Sequence, residues 1–101
     1  MGALPEYTWY LTVDVPHAEN EPFARALRRM LASTPYALVE PDPFTVQRFH
    51  DRPQILISHP RREPLAGVLR WVLDFWPTAG ELILDYGAVG RWEHDRPITE
   101  I

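Results

Sequence analysis

Cysteine is absent from this chain of 101 residues. Its absence excludes a disulfide framework, a thiol nucleophile and cysteine-ligated zinc or iron–sulfur centres, and it favours a cytoplasmic location. The apolar runs are only a few residues long, and the first fifteen residues lack the charged-then-apolar pattern of a signal peptide. Neither secretion nor insertion into a membrane is therefore expected.

Lysine is absent as well, since all ten basic residues are arginine. We attribute this to the codon usage of a GC-rich genome and give it no functional meaning. The formal net charge of -4 argues against direct binding to nucleic acid, which requires a basic surface. A protein partner, if there is one, is expected to be basic.

Large apolar side chains, in contrast, are plentiful. Hydrophobic residues make up 46% of the chain and include four tryptophans, four tyrosines and four phenylalanines. This composition is far from that of a disordered chain. A chain of this length is about one domain and can bury a core without a metal or a disulfide. We predict a single globular domain over residues 1–101.

The clearest pattern lies between Glu63 and Tyr86. An apolar stripe at helical spacing predicts a helix that packs on a sheet. Pro64 suits the first turn of this helix, and Pro77 with Gly80 ends it. Alternating apolar residues after Gly80 predict a strand with one buried face. The helical stripe comprises Leu65, Val68, Leu69, Val72 and Trp76, and the buried side of the strand comprises Leu82, Leu84 and Tyr86.

A first strand and a first helix precede this region. Residues 7–15 alternate between an apolar side and a more polar, solvent-facing side, which predicts a strand with one buried face. Asn20 offers an N-cap, with Glu21 and Pro22 in the first turn, for a helix over residues 21–33. The apolar side of the strand comprises Tyr7, Trp9, Leu11, Val13 and Val15, and the apolar stripe of the helix comprises Phe23, Ala26, Leu27, Met30 and Leu31.

The remaining segments are shorter. Residues 44–50 and 54–59 flank a turn and predict an antiparallel hairpin. Residues 36–39 are either a short strand or an extended connector. Residues 87–90 are expected to form a turn and residues 91–93 a short edge strand, and the tail that follows is not expected to be central.

The order of these elements is β-α-β-β-α-β-(β). It predicts an α+β two-layer sandwich with two helices on one face of a four- or five-stranded, mostly antiparallel sheet, in a ferredoxin-like arrangement. The other face of the sheet must then meet solvent or a partner. The residues expected there are Thr8, Tyr10, Thr12 and Asp14, with Ile83 and Asp85 on the matching side of the later strand.

Candidate catalytic groups are few. None of the four histidines has a partner at metal-ligand spacing, and His50 and His59 lie at opposite ends of the hairpin, so we predict no metal site and no cofactor. Asp14 and Asp85 could face each other across adjacent strands as a coupled acid–base pair, or they could be two solvated strand residues. We therefore predict no catalytic residue.

Two surfaces could instead bind a partner. Trp71 and Phe75 lie on a flank of the second helix, where they are either buried or form a partner-facing patch. From Glu81 onward, five acidic residues stand against two arginines, close to Tyr86 and Trp92. This margin could dock a basic protein, or it could be a solvated edge that discourages strand pairing.

The central part of the chain has the run Ile57, Ser58, His59, Arg61 and Arg62, then the helix VLRWVLDFWP and the strand GELILDYG. With Trp9 in the first strand, this order over residues 7–93 resembles the immunity protein 7 family of bacterial polymorphic toxin systems. The resemblance implies a small cytoplasmic protein that binds a cognate toxin domain and blocks it without catalysis of its own.

Three hypotheses follow. The first is an immunity protein whose partner is a cognate toxin, for example a basic nuclease, bound through Asp85, Tyr86, Trp92, Glu93 and Asp95 and the flank of Trp71 and Phe75. The second is a ferredoxin-like monooxygenase, isomerase or cyclase, in some cases a homodimer, with Tyr10, Asp14, His59 or Asp85 in a pocket on the uncovered face of the sheet. The third is a sensing or scaffold module that oligomerises through the Trp71 flank.

Overall fold

A computed structural model of the chain describes residues 6–33, 44–49, 52–89 and 97–100. Within these ranges the elements follow the order β-α-β-β-α-β-β, and the first six confirm the predicted α+β class and order. The strands are β1 (Tyr7–Asp14), β2 (Thr45–Phe49), β3 (Gln54–His59), β4 (Leu82–Ala88) and β5 (Pro97–Glu100), and the helices are α1 (His17–Ala32) and α2 (Arg62–Phe75).

The five strands form one antiparallel sheet in the order β4-β1-β3-β2-β5. Each helix connects two parallel strands that are separated by one antiparallel strand, because β1 and β2 both pair with β3 while β3 and β4 both pair with β1. Such crossovers are right-handed, which places both helices on the same face of the sheet. This is the predicted ferredoxin-like arrangement.

The core lies between the helices and the sheet. From β1, Leu11 and Val13 are fully buried, and Trp9 packs against the core from a half-buried position. The predicted apolar side of residues 7–15 is therefore confirmed except for Tyr7, which is exposed, but Tyr10 and Thr12 of the predicted solvent-facing side are buried as well. The helices contribute Phe23, Ala24, Leu27 and Leu31 from α1 and Leu65, Val68 and Val72 from α2.

The first helix begins four residues before the predicted start. Asn20 is not its N-cap but a buried residue of its first turns, and its amide nitrogen donates to the carbonyls of Val15 (2.9 Å) and Pro16 (3.2 Å). Pro22, expected in the first turn, lies inside the helix. The capping prediction was wrong because an asparagine amide can bond back to the preceding carbonyls instead of forward to an N–H.

The second helix and the break after it match the prediction. Its stripe is buried or packs against the core, and the helix ends at Phe75, just before Trp76. The Trp76 ring packs edge-on against Phe23 of α1 at 5.3 Å between ring centroids, so the end of α2 is joined to α1. Among the residues described, no helix is long and apolar enough to cross a membrane.

The end of β4 differs from the prediction. Gly87 and Ala88 continue the strand instead of forming a turn, with Gly87 opposite Thr8 of β1. The segments 36–39 and 91–93 lie outside the described residues. The tail contributes β5, which pairs with the outer side of β2 and was not predicted as a strand.

The face of the sheet turned away from the helices is here called the far face. It was predicted to be exposed to solvent, but part of it is buried. Tyr10 is only 6% exposed, and it forms a second small cluster with Leu56 and Phe49. The Tyr10 hydroxyl donates to the Ala88 carbonyl (3.0 Å), and the Arg52 guanidinium lies 4.5 Å from the centre of the Phe49 ring. Large side chains on three neighbouring strands thus cover one another, and period-two alternation alone does not indicate such contacts.

Candidate protein-binding surface

Strand β4 forms one edge of the sheet, and within the described ranges β1 is its neighbour on the other side. The register places Tyr86 of β4 opposite Trp9 of β1. Directly opposed residues share a face of the sheet. Tyr86 therefore lies on the same face as the helices, close to the start of α2.

Three rings gather at this position, and we call Tyr7, Trp9 and Tyr86 the aromatic patch. Tyr86 stacks on Tyr7 with 5.4 Å between ring centroids and approaches Trp9 at 4.8 Å. Tyr7 is 51% exposed and Tyr86 is 50% exposed, whereas Trp9 is partly buried. The patch thus combines an anchored indole with two rings that are open to solvent.

The local sequence explains why these rings are exposed. Tyr7 and Trp9 are two residues apart on β1 and so point to the same face. Helix α2 begins at Arg62, whose guanidinium lies 6.0 Å from the centre of the Trp9 ring. The helix and its first side chain cover Trp9, and the two tyrosines remain accessible beside it.

The side chain of Asp85 accepts a hydrogen bond from the backbone of this edge strand. Its carboxylate oxygen Oδ1 accepts a hydrogen bond from the Tyr86 N–H at 2.8 Å. A charged side chain on an edge strand discourages another chain from pairing with it.

The charged residues within the segments that form the β1–β4 pair are all acidic. Residues 6–15 and 81–89 contain four carboxylates and no arginine. All ten basic residues of the chain thus lie elsewhere in the sequence, with Arg62 reaching the patch from α2. The carboxylates are Glu6, Asp14, Glu81 and Asp85.

The two predicted aromatic residues of α2 have different positions. Trp71 is partly buried and packs against Phe23 (5.9 Å between centroids) and Trp76 (6.4 Å), so it belongs to the contact between the helices. Phe75 is 68% exposed, and Leu73, two residues earlier in the helix, is exposed too. Of the two predicted alternatives, burial therefore applies to Trp71 and exposure applies to Phe75. Of the predicted contact residues, Trp92, Glu93 and Asp95 lie outside the described residues.

The residues proposed for a small-molecule pocket do not converge. Tyr10 and Asp14 lie on the far face, but His59 is opposite Trp9 and so lies on the helix face. His59 is buried, its Nδ1 accepts the Arg61 N–H at 2.9 Å, and its ring lies 4.7 Å from that of Phe44. The predicted grouping was wrong because a shift of one residue in register moves a side chain to the opposite face.

The suggested pairing of the two strand aspartates is also corrected. Asp85 lies opposite Tyr10, four residues before Asp14 along β1, which separates the two carboxylates by roughly 13 Å of strand. Asp14 instead accepts hydrogen bonds from the Gln54 amide (2.7 Å) and the Glu81 N–H (3.3 Å). Each aspartate thus serves local backbone or side-chain donors.

Asp14 also borders an open depression of about 430 Å³. It lies where the end of β1, the start of α1 and the loop before β4 meet, and its wall includes His17, Thr78 and Gly80. Thr78 donates to a carboxylate oxygen of Glu19 (2.7 Å). No group of three or more metal-ligating side chains was found within the part of the chain that the structure describes.

The sequence interpretation named Tyr86 as a contact residue, but it assigned both Tyr7 and Tyr86 to the buried sides of their strands, and both are half exposed. The missing information was the pairing of β1 with β4, which brings Tyr7 and Tyr86 together. A scan of protein-family models, a search of curated proteins and a search of solved structures each found no significant match to the chain.

Proposed function

We propose that this protein is an immunity protein, a stoichiometric inhibitor that binds a cognate bacterial toxin domain in the cytoplasm and blocks it. Such a protein performs no reaction, so it requires a stable scaffold and one surface complementary to the partner. The two-layer sandwich supplies the scaffold, and the side of the molecule formed by β1, β4 and α2 supplies the surface.

One observation carries the proposal: the large apolar side chains that remain exposed lie on a few elements at one edge of the molecule. In the described ranges each of them lies on β1, on β4 and the turn after it, or on α2. Among them, Tyr7 and Tyr86 are in contact with each other, and contiguous apolar exposure, as opposed to single scattered residues, is typical of protein-binding sites. The residues are Tyr7, Leu73, Phe75, Ile83, Tyr86 and Val89.

The charge of the chain supports the same conclusion. A net charge of -4, with four carboxylates and no arginine on the segments that form the β1–β4 pair, complements a basic partner such as a nuclease. Complementary charge accelerates encounter, and aromatic contacts in a desolvated centre supply most of the binding energy. Asp85 on the far face of β4 and Tyr86 on its helix face offer both at one edge of the sheet.

Co-expression with the product of the adjacent gene tests the proposal. We expect that product to arrest growth when expressed alone, this protein to restore growth, and the two to elute together as a complex of fixed stoichiometry in size-exclusion chromatography with light scattering. A neighbour that is harmless alone, or that stays toxic and unbound beside this protein, contradicts the proposal.

A small-molecule enzyme is the second candidate, and the depression beside Asp14 and His17 favours it. Of the four residues first grouped for such a pocket, Asp14 alone borders this depression. Saturation-transfer NMR with a panel of small metabolites tests this function. A ligand whose signal disappears in His17→Ala would support it, and a panel without any signal would count against it.

A further inference from the structure

We infer that the hydrogen bond between His59 and Arg61 is an acid-sensitive switch at the start of α2, formed while the His59 ring is neutral and broken when the ring is protonated. His59 is the last residue of β3, and α2 begins three residues later at Arg62. The inference goes beyond the proposed function, because it concerns the fold itself and does not depend on the identity of a partner. Three features of the structure support it.

The first feature is the direction of the hydrogen bond. The Arg61 N–H donates to Nδ1 of His59 at 2.9 Å, so Nδ1 itself carries no proton and the ring is in its neutral form. A protonated imidazole carries a proton on both nitrogens and cannot accept this bond. Arg61 is the N-cap residue of α2. Protonation of His59 would therefore release the residue from which the helix starts.

The second feature is the burial of the ring. His59 is 1% exposed, it lies opposite Trp9 of β1, and its ring centroid is 4.7 Å from that of Phe44. Burial among apolar and aromatic groups disfavours the charged form of a histidine. The neutral ring fits this site, whereas a charged ring regains its hydration only by moving out of it.

The third feature is the charge at the start of α2. Nδ1 meets this helix at its N-terminus, the positive end of the helix dipole, which disfavours a further positive charge. The charged residues there are Arg61, Arg62 and Glu63, all of them exposed, so two cations stand against one carboxylate. The other carboxylate of the helix, Asp74, lies near its opposite end. A proton on the ring would thus add to a positive environment.

The other elements around the ring bring no carboxylate close to it. Beyond residue 21, the charged residues of α1, which also packs on β3, are arginines. In β1 to β4, the strand residues that share the helix face with His59 include no carboxylate. Arg48 lies opposite Ile55, four residues before His59 and roughly 13 Å away along the strand. The charged or titratable groups that these elements do contribute are Arg25, Arg28 and Arg29 of α1, Arg48 of β2, Tyr7 of β1 and Tyr86 of β4.

The switch is connected to the proposed binding surface. The His59 carbonyl accepts a hydrogen bond from the Thr8 hydroxyl (2.9 Å), and Trp9, the next residue of β1, lies opposite His59. The guanidinium of Arg62, the first residue of α2, lies 6.0 Å from the centre of the Trp9 ring. Release of the start of α2 would therefore uncover Trp9, and acid would alter the side of the molecule formed by β1, β4 and α2.

Urea unfolding of the full chain at a series of pH values tests the switch. A histidine in an unfolded chain has a pKa of about 6.5, so below that pH the unfolded chain binds a proton at His59 that the folded chain excludes. The stability that depends on the neutral ring is complete above about pH 6.5 and is lost as the pH falls. We expect His59 to lower the ratio of folded to unfolded protein about tenfold for each pH unit below about 6.5.

His59→Asn separates this effect from those of other titrating groups. The asparagine oxygen can accept an N–H from the backbone two residues further on, but it cannot be protonated. The smaller side chain lowers stability at every pH alike, so the measured quantity is the pH dependence, which should lose the tenfold component. His17→Asn, at an exposed position of α1, is the matched control and should keep the pH dependence of the wild-type protein. The same pH dependence in His59→Asn and the wild-type protein overturns the inference.

Nitrogen NMR of the isotope-labelled wild-type chain gives a second answer, even if His59→Asn does not fold. At neutral pH, Nδ1 of His59 should have the chemical shift of an unprotonated imidazole nitrogen. As the pH is lowered, the protection of the Arg61 amide from hydrogen exchange should fall together with uptake of the proton by the ring. A protonated Nδ1 at neutral pH, or a ring that becomes protonated while the Arg61 amide keeps its protection, shows that the switch does not exist.

Discussion

Gly80 and Asp14 lie so close together that a Cβ atom on Gly80 would be 2.9 Å from the Cβ of Asp14. The Gly80 N–H donates to the Asp14 carbonyl (2.9 Å), and the Asp14 N–H donates to the Glu81 carbonyl (3.0 Å). The loop before β4 is thus held against the end of β1 by two backbone hydrogen bonds. This contact helps to set where β4, and with it Tyr86, meets its neighbour.

Gly80→Ala should therefore destabilise the protein. The added methyl group meets the Asp14 side chain near its root, where it cannot swing away, and overpacking of this kind typically costs about 1–3 kcal/mol. Urea unfolding followed by tryptophan fluorescence measures the change. An unfolding free energy equal to that of the wild-type protein would show that the surroundings of Gly80 accommodate the added methyl group without a loss of stability.

Gly67→Ala is the matched substitution with the opposite expected sign. Gly67 lies inside α2, it is exposed, and no atom of its surroundings lies within 4 Å of the position that a Cβ would occupy. Alanine in an exposed helix position is favoured over glycine by roughly 0.5–1 kcal/mol. The same urea experiment should show a higher midpoint with an unchanged slope. A lower midpoint would contradict the packing described for the outer side of α2.

Phe23→Ala should remove the main contact between the helices. Phe23 is fully buried and touches the rings of both Trp71 and Trp76. Replacing a buried phenylalanine by alanine typically costs about 3–5 kcal/mol. We expect a large loss of unfolding free energy and a reduced near-ultraviolet circular dichroism signal from the tryptophans. Phe75→Ala, at an exposed position, should change stability by no more than about 0.5 kcal/mol.

Asn20→Ala should weaken the start of α1. The side-chain amide is fully buried and donates to the carbonyls of Val15 and Pro16. Removing it leaves buried acceptors without that donor, which typically costs about 1–3 kcal/mol. Ser33→Ala is the control, because the Ser33 hydroxyl donates to the Met30 carbonyl from an exposed position and should contribute little. Equal stability of the two variants would argue against a structural role for Asn20.

The elements with a strong period were predictable, and the positions that depend on a second segment were not. The stripe of Leu65, Val68 and Val72 predicted α2 because one helix face must bury its apolar side chains. The start of α1 was misplaced because Asn20 has two ways to satisfy backbone groups, and a local pattern does not distinguish them. Tyr86 was named as a contact residue from its strand and the acidic residues around it, but its stacking on Tyr7 was not predictable without the register.

By itself, the amino-acid sequence determined the two helices and the first four strands, that the two helices cover one side of the sheet, and that β4 carries an acid next to an aromatic ring. These properties follow from periodicity and charge, which are local. The tertiary structure alone decided that Tyr7 meets Tyr86, that Asp14 and Asp85 lie far apart, and that His59 is buried on the helix face. Each of these depends on the register between strands distant in the chain, where a slip of one residue reverses the face of every side chain.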